Sequence, residues 1–430
     1  MAQYLSHSQP SEKALHGIMI PFESFVLDNG LRVIVHEDPS SKLAAMNVMY
    51  HVGARDEEAQ KTGLAHLLEH LMFGGSQHVP HYDQALQQVG GDSNAYTTPD
   101  VTNYYCTLPA VNLETAFWLE SDRMLSPLLD TQILAVQQKV VTEEFKEIYL
   151  NQPYGDAWLQ LSALAYAVHP YRWPVIGKDV SHIARITLAD VQAFFRKFYV
   201  PNNAVLVVAG DVRLPHVKQL SQKWFGPIPA GPVHTRRLPQ EPAQTSPKSI
   251  HLSAPVPLNA LYKAYHVPGR SSVDYHTAEA LCNGLGAGKS STLYRQLVQE
   301  KAYFNTIETC LTETLDPGLL IVHGILNTGI SFEQAEAGLA EIFEAIQSHG
   351  MTSAELDKVK NHAETEWVCG AIDLPYRAQA LALATWLGDT HLVNTEMERV
   401  RAITLADVKR MAHQLLSAGQ GSTLYYHSTG

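Results

Sequence analysis

The hexapeptide Ile186-Thr187-Leu188-Ala189-Asp190-Val191 returns as Ile403-Thr404-Leu405-Ala406-Asp407-Val408, and no other feature constrains the chain as much. In both copies a Thr stands at a helix start with an Asp three residues on, the pattern of a capping box. A strand-like run follows each copy, Asn203 to Gly210 in the first and Ser422 to Tyr426 in the second. A duplicate near the end of each half reads as one fold built twice. Between the halves, Pro227, Pro229, Pro232, Pro239, Pro242 and Pro247 mark an extended, semi-rigid connection. The expected division is an N-terminal catalytic domain over residues 1–226, a linker over 227–253 and a homologous non-catalytic domain over 254–430.

Within the first half, Phe25-Val26-Leu27 and Leu31 to Val35 flank Asp28-Asn29-Gly30, a hairpin signal. Ala44 to Val52 reads as a further strand, and Gly90-Gly91 leads into a polar strand through Asn94, Ala95, Tyr96 and Thr97. Helical periodicity covers Leu113 to Leu125 and Thr131 to Leu150. Strands alternate with helices while the hairpin signals favour antiparallel pairing. The fold class is therefore α+β, two homologous domains, each a mainly antiparallel sheet with helices packed on one face.

The stretch His66-Leu67-Leu68-Glu69-His70 carries the chemistry. On a helix, residues four apart stack on one side and a residue three along shares it, so two imidazoles and a carboxylate converge. Neutral imidazoles at this spacing can bind one Zn²⁺, and a carboxylate that is not itself a ligand can act as base. The order is the inverse of the commoner zincin order. Two solvated or core histidines on an amphipathic helix are the alternative reading.

A third ligand is sought on the helix from Thr131 to Leu150. Ile133, Val136, Val140 and Ile148 form a stripe that reads as inward-facing, with Glu144 on it. A buried carboxylate needs a compensating partner, and a divalent metal is the strongest available. Glu147 lies one turn beyond. Pairing of Glu144 with a core Arg or His is the alternative.

The run Gly284-Leu285-Gly286-Ala287-Gly288-Lys289-Ser290 imitates a phosphate loop but has Asn283 where the outer glycine is required, and it follows a helical segment instead of a strand. It reads as a flexible glycine loop opening the helix from Leu293 to Glu300. The 31 Lys and Arg against 43 Asp and Glu give a net charge of -12, which argues against nucleic acid and suits a basic or neutral peptide. Cys106, Cys282, Cys310 and Cys369 are widely separated and read as buried thiols in a reducing compartment. Met1 to Ile20 contains no apolar export stretch, and no run approaches a membrane span. A soluble cytoplasmic protein without a membrane partner is expected, or a periplasmic one if an export signal had been removed.

With His66-Leu67-Leu68-Glu69-His70, Asn94-Ala95-Tyr96-Thr97, Val140-Val141-Thr142-Glu143-Glu144 and the duplicated halves, the chain resembles the pitrilysin-type inverzincin metallopeptidases. It looks most like their short branch, which includes the mitochondrial processing peptidase β subunit and its bacterial relatives. The resemblance implies one Zn²⁺ per chain on His66, His70 and Glu144, with Glu69 as general base and Glu147 behind them as the less favoured third ligand. It also implies that Asn94 and Ala95 lie on an edge strand that receives the substrate as an added strand. The implied activity is zinc-dependent endopeptidase action on unfolded peptides or leader segments.

In the family's second domain an Arg and a Tyr commonly hold the substrate, and here Val298 and Asn305 stand at those places. That departure implies the zinc-bearing half of a heterodimer whose sister subunit supplies the pair, and a homodimer when alone. Substitution by Tyr294, Arg295 or Tyr303 is the alternative. A non-catalytic structural or binding subunit of the same family is the alternative function. Such members usually lose the clamp residues, which are all present here.

Overall fold

A computed structural model of the chain describes residues 19–430, with the side chain of Ala418 left aside. The sequence reading of Met1 to Ile20 therefore falls almost wholly outside the described residues. No helix among those described is long and apolar enough to cross a membrane.

The first half runs β1 (Glu23–Val26), β2 (Arg32–Glu37), β3 (Leu43–Tyr50), α1 (Leu64–Met72), α2 (Tyr82–Gln88), β4 (Asp92–Thr97) and β5 (Thr102–Pro109). It continues α3 (Leu113–Leu125), α4 (Thr131–Phe145), α5 (Ala157–Ala165), α6 (Val180–Arg185), α7 (Leu188–Phe198), β6 (Ala204–Gly210) and α8 (Leu214–Trp224). The second half begins β7 (Lys248–Ala254), β8 (Ala260–Val267), α9 (Tyr275–Gly286), β9 (Phe304–Leu311) and β10 (Gly318–Leu326). It ends α10 (Phe332–His349), α11 (Ser353–Ile372), α12 (Leu374–Trp386), α13 (Leu392–Ala402), α14 (Leu405–Leu415) and β11 (Ser422–Ser428).

The duplication is visible in the sheets. The first has the order β1-β2-β6-β3-β5-β4 and the second β7-β11-β8-β10-β9, the same arrangement without a counterpart of β1. Among the described strands only β2 with β6 and β7 with β11 pair in parallel. The repeated hexapeptides cap α7 and α14: Thr187 and Thr404 each accept from the backbone N–H of Asp190 and Asp407, and each Asp side chain accepts from the Thr backbone in return.

Each sheet buries one face under helices of its own half. In the first, Val33, Met46, Val48, Leu206 and Val208 pack against Leu67 and Leu71 of α1, Phe117 of α3 and Val191 of α7. In the second, Leu261, Leu320 and Val322 pack against Leu281 of α9, Leu339 of α10 and Met411 of α14. The opposite faces are covered by exchange. Helix α12 lays Leu374, Ala378 and Leu381 on Ile34, Ala45, Met49, Val205 and Val207 of the first sheet. Helix α5 lays Ala157, Leu161 and Ala165 on Ala260, Ala264, Leu319 and Leu424 of the second. Strand β6, apolar at every position, feeds alternate residues to the two faces, as period-2 geometry requires of a strand buried on both sides.

An ionic knot, buried at Arg55 and Asp100 and partly exposed at Asp316, ties the halves together at one point. Arg55 Nη1 lies 2.6 Å from Asp100 Oδ1 and 3.2 Å from Asp316 Oδ2, and Tyr171 donates to Asp100 at 2.6 Å. The linker is strapped to the first half, with Arg236 on Asp56 at 2.6 Å and Glu241 accepting the backbone N–H groups of Ala167, Val168 and His169.

Two expectations change. The glycine run is a loop only in part: α9 extends through Gly286, where a Cβ would sit 2.6 Å from the Thr309 backbone nitrogen, so Gly286 allows close helix-strand contact, whereas Ala287 to Ser290 form the expected turn, with open space around Gly288. The segment Tyr294–Glu300 that follows is a π-helical turn. Of the cysteines, Cys106 and Cys282 are buried while Cys310 and Cys369 are exposed.

Because Leu381 is fully buried in the core that joins α12 to the first sheet, Leu381→Ala is expected to cost roughly 2–5 kcal/mol. Urea unfolding followed by circular dichroism measures this; a change below about 1 kcal/mol would mean that the exchanged helix contributes little.

Candidate metal centre

Helix α1 starts at Gly63, whose φ of +88° places a hypothetical Cβ 2.5 Å from the Ile176 carbonyl oxygen, so only glycine fits. Its first N–H groups are satisfied from outside the helix, since Gly63 and Ala65 donate to the buried Glu57 carboxylate at 3.0 and 2.8 Å. Leu64, Leu67, Leu68 and Leu71 face the core, which turns His66 and His70 the other way.

Helix α4 brings the third group. It is capped by Asp130, which accepts from the N–H groups of Gln132 and Ile133, and it packs through Leu134, Val141 and Phe145. Most of the stripe expected to face inward does not: Ile133 packs on the core, but Val136, Val140 and Ile148 are 57%, 46% and 42% exposed. Gln138 conceals the true inner stripe in the sequence. Its amide donates to the carbonyls of Ile183 and Ile186 at 2.8 and 2.9 Å, so a polar residue sits satisfied on the packed side. Glu144 therefore lies at the margin of that side, 36% exposed, where α4 meets α1. The helix changes to a π turn at Lys146–Leu150, which contains the exposed Glu147.

His66, His70 and Glu144 offer ligand atoms that all lie within 4.8 Å of one another. His66 Nε2 is 3.8 Å from Glu144 Oε1 and His70 Nε2 is 3.5 Å from Glu144 Oε2. These separations are long for hydrogen bonds. They approach the roughly 3.4 Å edge of a tetrahedron whose centre lies about 2.0–2.1 Å from each nitrogen or oxygen, the geometry of zinc. The three residues fit a zinc ion. Burial, then the neighbouring His70, lowers the pKa of His66 to about 4, so its imidazole is neutral and free to ligate at neutral pH. Desolvation raises the pKa of Glu144, the His70 charge opposes this, and Glu147 adds to it. Glu147 thus acts on Glu144 through its charge and is not among the converging ligand atoms.

Glu69 stands beside this group without joining it. Burial raises its pKa to about 7, with a hydrogen bond from Thr97 opposing and the Glu144 charge assisting. Among the described residues β4 pairs only with β5, which leaves its other edge free there. On that strand Asn94 is exposed, and its Oδ1 accepts from the Ala95 N–H at 2.8 Å. Ala95, Tyr96, Thr97, His66, Glu69 and Glu144 line one open cleft of about 400 Å³. Thr97, on Glu69, and Glu57, on the start of α1, also belong to the site, and no local pattern in the sequence signals either contact.

Comparison with known proteins settles the family. The model described as "Insulinase (Peptidase family M16)" matches residues 32–178, and "Peptidase M16 inactive domain" matches residues 185–362. The chain belongs to peptidase family M16. Among M16 relatives it is 28% identical to the zinc protease PqqE of Helicobacter pylori, over 94% of this chain and 92% of that one. It is 22% identical to a probable mitochondrial-processing peptidase subunit beta of Arabidopsis thaliana, over 91% of this chain and 75% of that one. The crystal structure of a protease from Helicobacter pylori superposes with a TM-score of 0.88 at 27% identity, covering 95% of this chain and all of that one.

Within this M16 chain the second half has a partial echo of the cleft. His276 and Glu279 on α9 repeat the spacing of His66 and Glu69, and Ala280 stands where the second imidazole would be. Glu366 falls at the same place along α11 as Glu144 along α4, and all but Ala280 line a separate cavity. There His276 is held by Glu279 at 3.1 Å and Glu396 at 3.2 Å. Burial alone would lower its pKa; the two carboxylates outweigh burial and raise it to about 9. An imidazole whose folded pKa exceeds its ordinary 6.5 contributes stability that is complete below pH 6.5 and lost as pH rises through about 9. His276→Gln is accordingly expected to lose about 2–3 kcal/mol near pH 6, with the deficit shrinking toward pH 10. Urea titrations at the two pH values decide it, and a pH-independent difference would refute the charge pairing.

Proposed function

We propose that the chain is a zinc-dependent endopeptidase acting on unfolded peptides or leader segments, and that it works as the zinc-bearing subunit of a two-chain assembly. The observation that carries this reading is the convergence of His66 Nε2, His70 Nε2 and the Glu144 carboxylate with Glu69 adjacent. When bound at those residues, zinc brings the pKa of water toward neutrality and polarises a peptide carbonyl. Glu69 takes the proton from the attacking water and delivers it to the departing amine nitrogen. A carboxyl whose pKa is raised to about 7 is suited to both transfers at neutral pH. The free edge of β4 aligns the peptide through backbone hydrogen bonds, a mode open only to extended chain, which is why the substrate is unfolded.

Support for a partner subunit is of two kinds. One relative is by its name the β subunit of a processing peptidase. In this chain Val298 packs against the second core and Asn305 is exposed on β9, so neither supplies the Arg and Tyr expected of a substrate clamp. Arg295, the candidate substitute, is engaged by Glu355 at 2.8 Å.

Glu69→Gln is expected to bind about one equivalent of zinc, as the unaltered chain does, and to lose peptide cleavage by about 10²–10⁴-fold. Elemental analysis beside a quenched-peptide assay reads both; full activity in the variant would reject the assignment, and zinc without cleavage in the unaltered chain, alone or mixed with any sister subunit, would favour a non-catalytic subunit. Mixing with a homologous chain that carries the Arg and Tyr is expected to raise turnover, and no gain would count against the two-chain reading.

A further inference from the structure

Among the described residues a single hydrogen bond reaches the side chain of Glu69, and it comes from the edge strand: the Thr97 hydroxyl donates to Glu69 Oε2. Other polar groups nearby do not hold it. Tyr104 and Tyr199 are close enough for the Glu69 charge to raise their pKa values, yet their hydroxyls face each other at 3.5 Å. A glutamate has three rotatable side-chain bonds, and a general base must stay within hydrogen-bond reach of the proton it removes. One tether on Oε2 leaves Oε1 available.

Thr97 is the last residue of β4 and pairs with Thr102 of β5. Side chains alternate along the strand, so Thr97 shares a face with Ala95, which packs on the core beneath α1, while Tyr96 packs on the opposite side against the α12 core. The same strand presents the free edge at which Asn94 caps the Ala95 N–H, a bond that a docking peptide carbonyl can replace.

We propose that Thr97 is the positioning residue for Glu69, and that β4 thereby couples substrate docking to the base: the strand that receives the peptide also holds the proton acceptor. The proposal rests on the peptidase reading above. It explains why a hydroxyl occupies this position, since a residue of similar shape without one would satisfy the packing alone.

The test compares Thr97→Val, which keeps the shape and removes the hydroxyl, with Thr97→Ser, which keeps the hydroxyl. Thr97→Val is expected to retain zinc stoichiometry and to keep KM within about twofold, while kcat falls roughly 10–100-fold. Thr97→Ser should recover most of that kcat. Crystal structures of the zinc-free proteins supply a readout independent of turnover: the Glu69 carboxylate is expected in one rotamer in the unaltered chain and in Thr97→Ser, and spread over several in Thr97→Val. Unchanged kcat in Thr97→Val, a Glu69 rotamer that ignores the substitution, or failure of Ser to restore what Val loses would each overturn the proposal. If the unaltered chain cleaves nothing, alone or with a sister subunit, the peptidase reading falls and this one with it. Intact wild-type turnover with an indifferent Thr97→Val removes the Thr97 role alone.

Discussion

Each half of this chain makes a sheet whose second face it cannot cover. Strand β6 sends Leu206 and Val208 to its own helices and Val205 and Val207 to α12, which belongs to the other half. The reverse debt is met by α5 on the second sheet. Apolar area on this scale cannot stay in water, so the two halves stabilise each other and neither sheet is complete alone. The Arg55, Asp100 and Asp316 knot then fixes how they meet. Removing Arg55 there would leave the Asp100 charge buried without compensation, a cost larger than the pair itself contributes.

The candidate metal centre depends on that rigid frame because its parts come from different depths of the fold. Helix α1 is anchored by its leucines and by Glu57 capping its start, whereas Glu144 arrives from α4 at the edge of that helix's packed side. Placing a carboxylate at such a margin keeps its desolvation modest while it still faces two imidazoles. Glu69, one position before His70, is more deeply buried, and its pKa near 7 reflects that difference. Two carboxylates in one cleft thus stand in different surroundings, the difference on which the proposed ligand and base roles rest.

Much of this was legible in the residues. The capping boxes at Thr187 and Thr404, the hairpin around Gly30 and the spacing of His66, Glu69 and His70 all rest on local rules, and local rules act wherever the pattern occurs. The reading of α4 reached Glu144 by a faulty route. Its apolar stripe pointed to the wrong side because Gln138 on the packed side carries a polar signal that two distant carbonyls satisfy. The glycine run was legible in part: its later residues form the turn that its composition signals, but Gly286 lies in α9 and answers a close strand. Even the exchange had a sign, since β6 is apolar throughout, but a continuous run does not say which helix covers the second face.

By itself the sequence determined the repeated architecture, the side of α1 on which the imidazoles stand and the residue types able to bind zinc, because these follow from periodicity and from contacts a few positions apart. Only the tertiary structure decided that Glu144 meets His66 and His70, that Thr97 holds Glu69, and that each half lends a helix to the other. Those outcomes join groups many residues apart, where chain geometry imposes no spacing and packing selects the arrangement that covers both faces of each sheet.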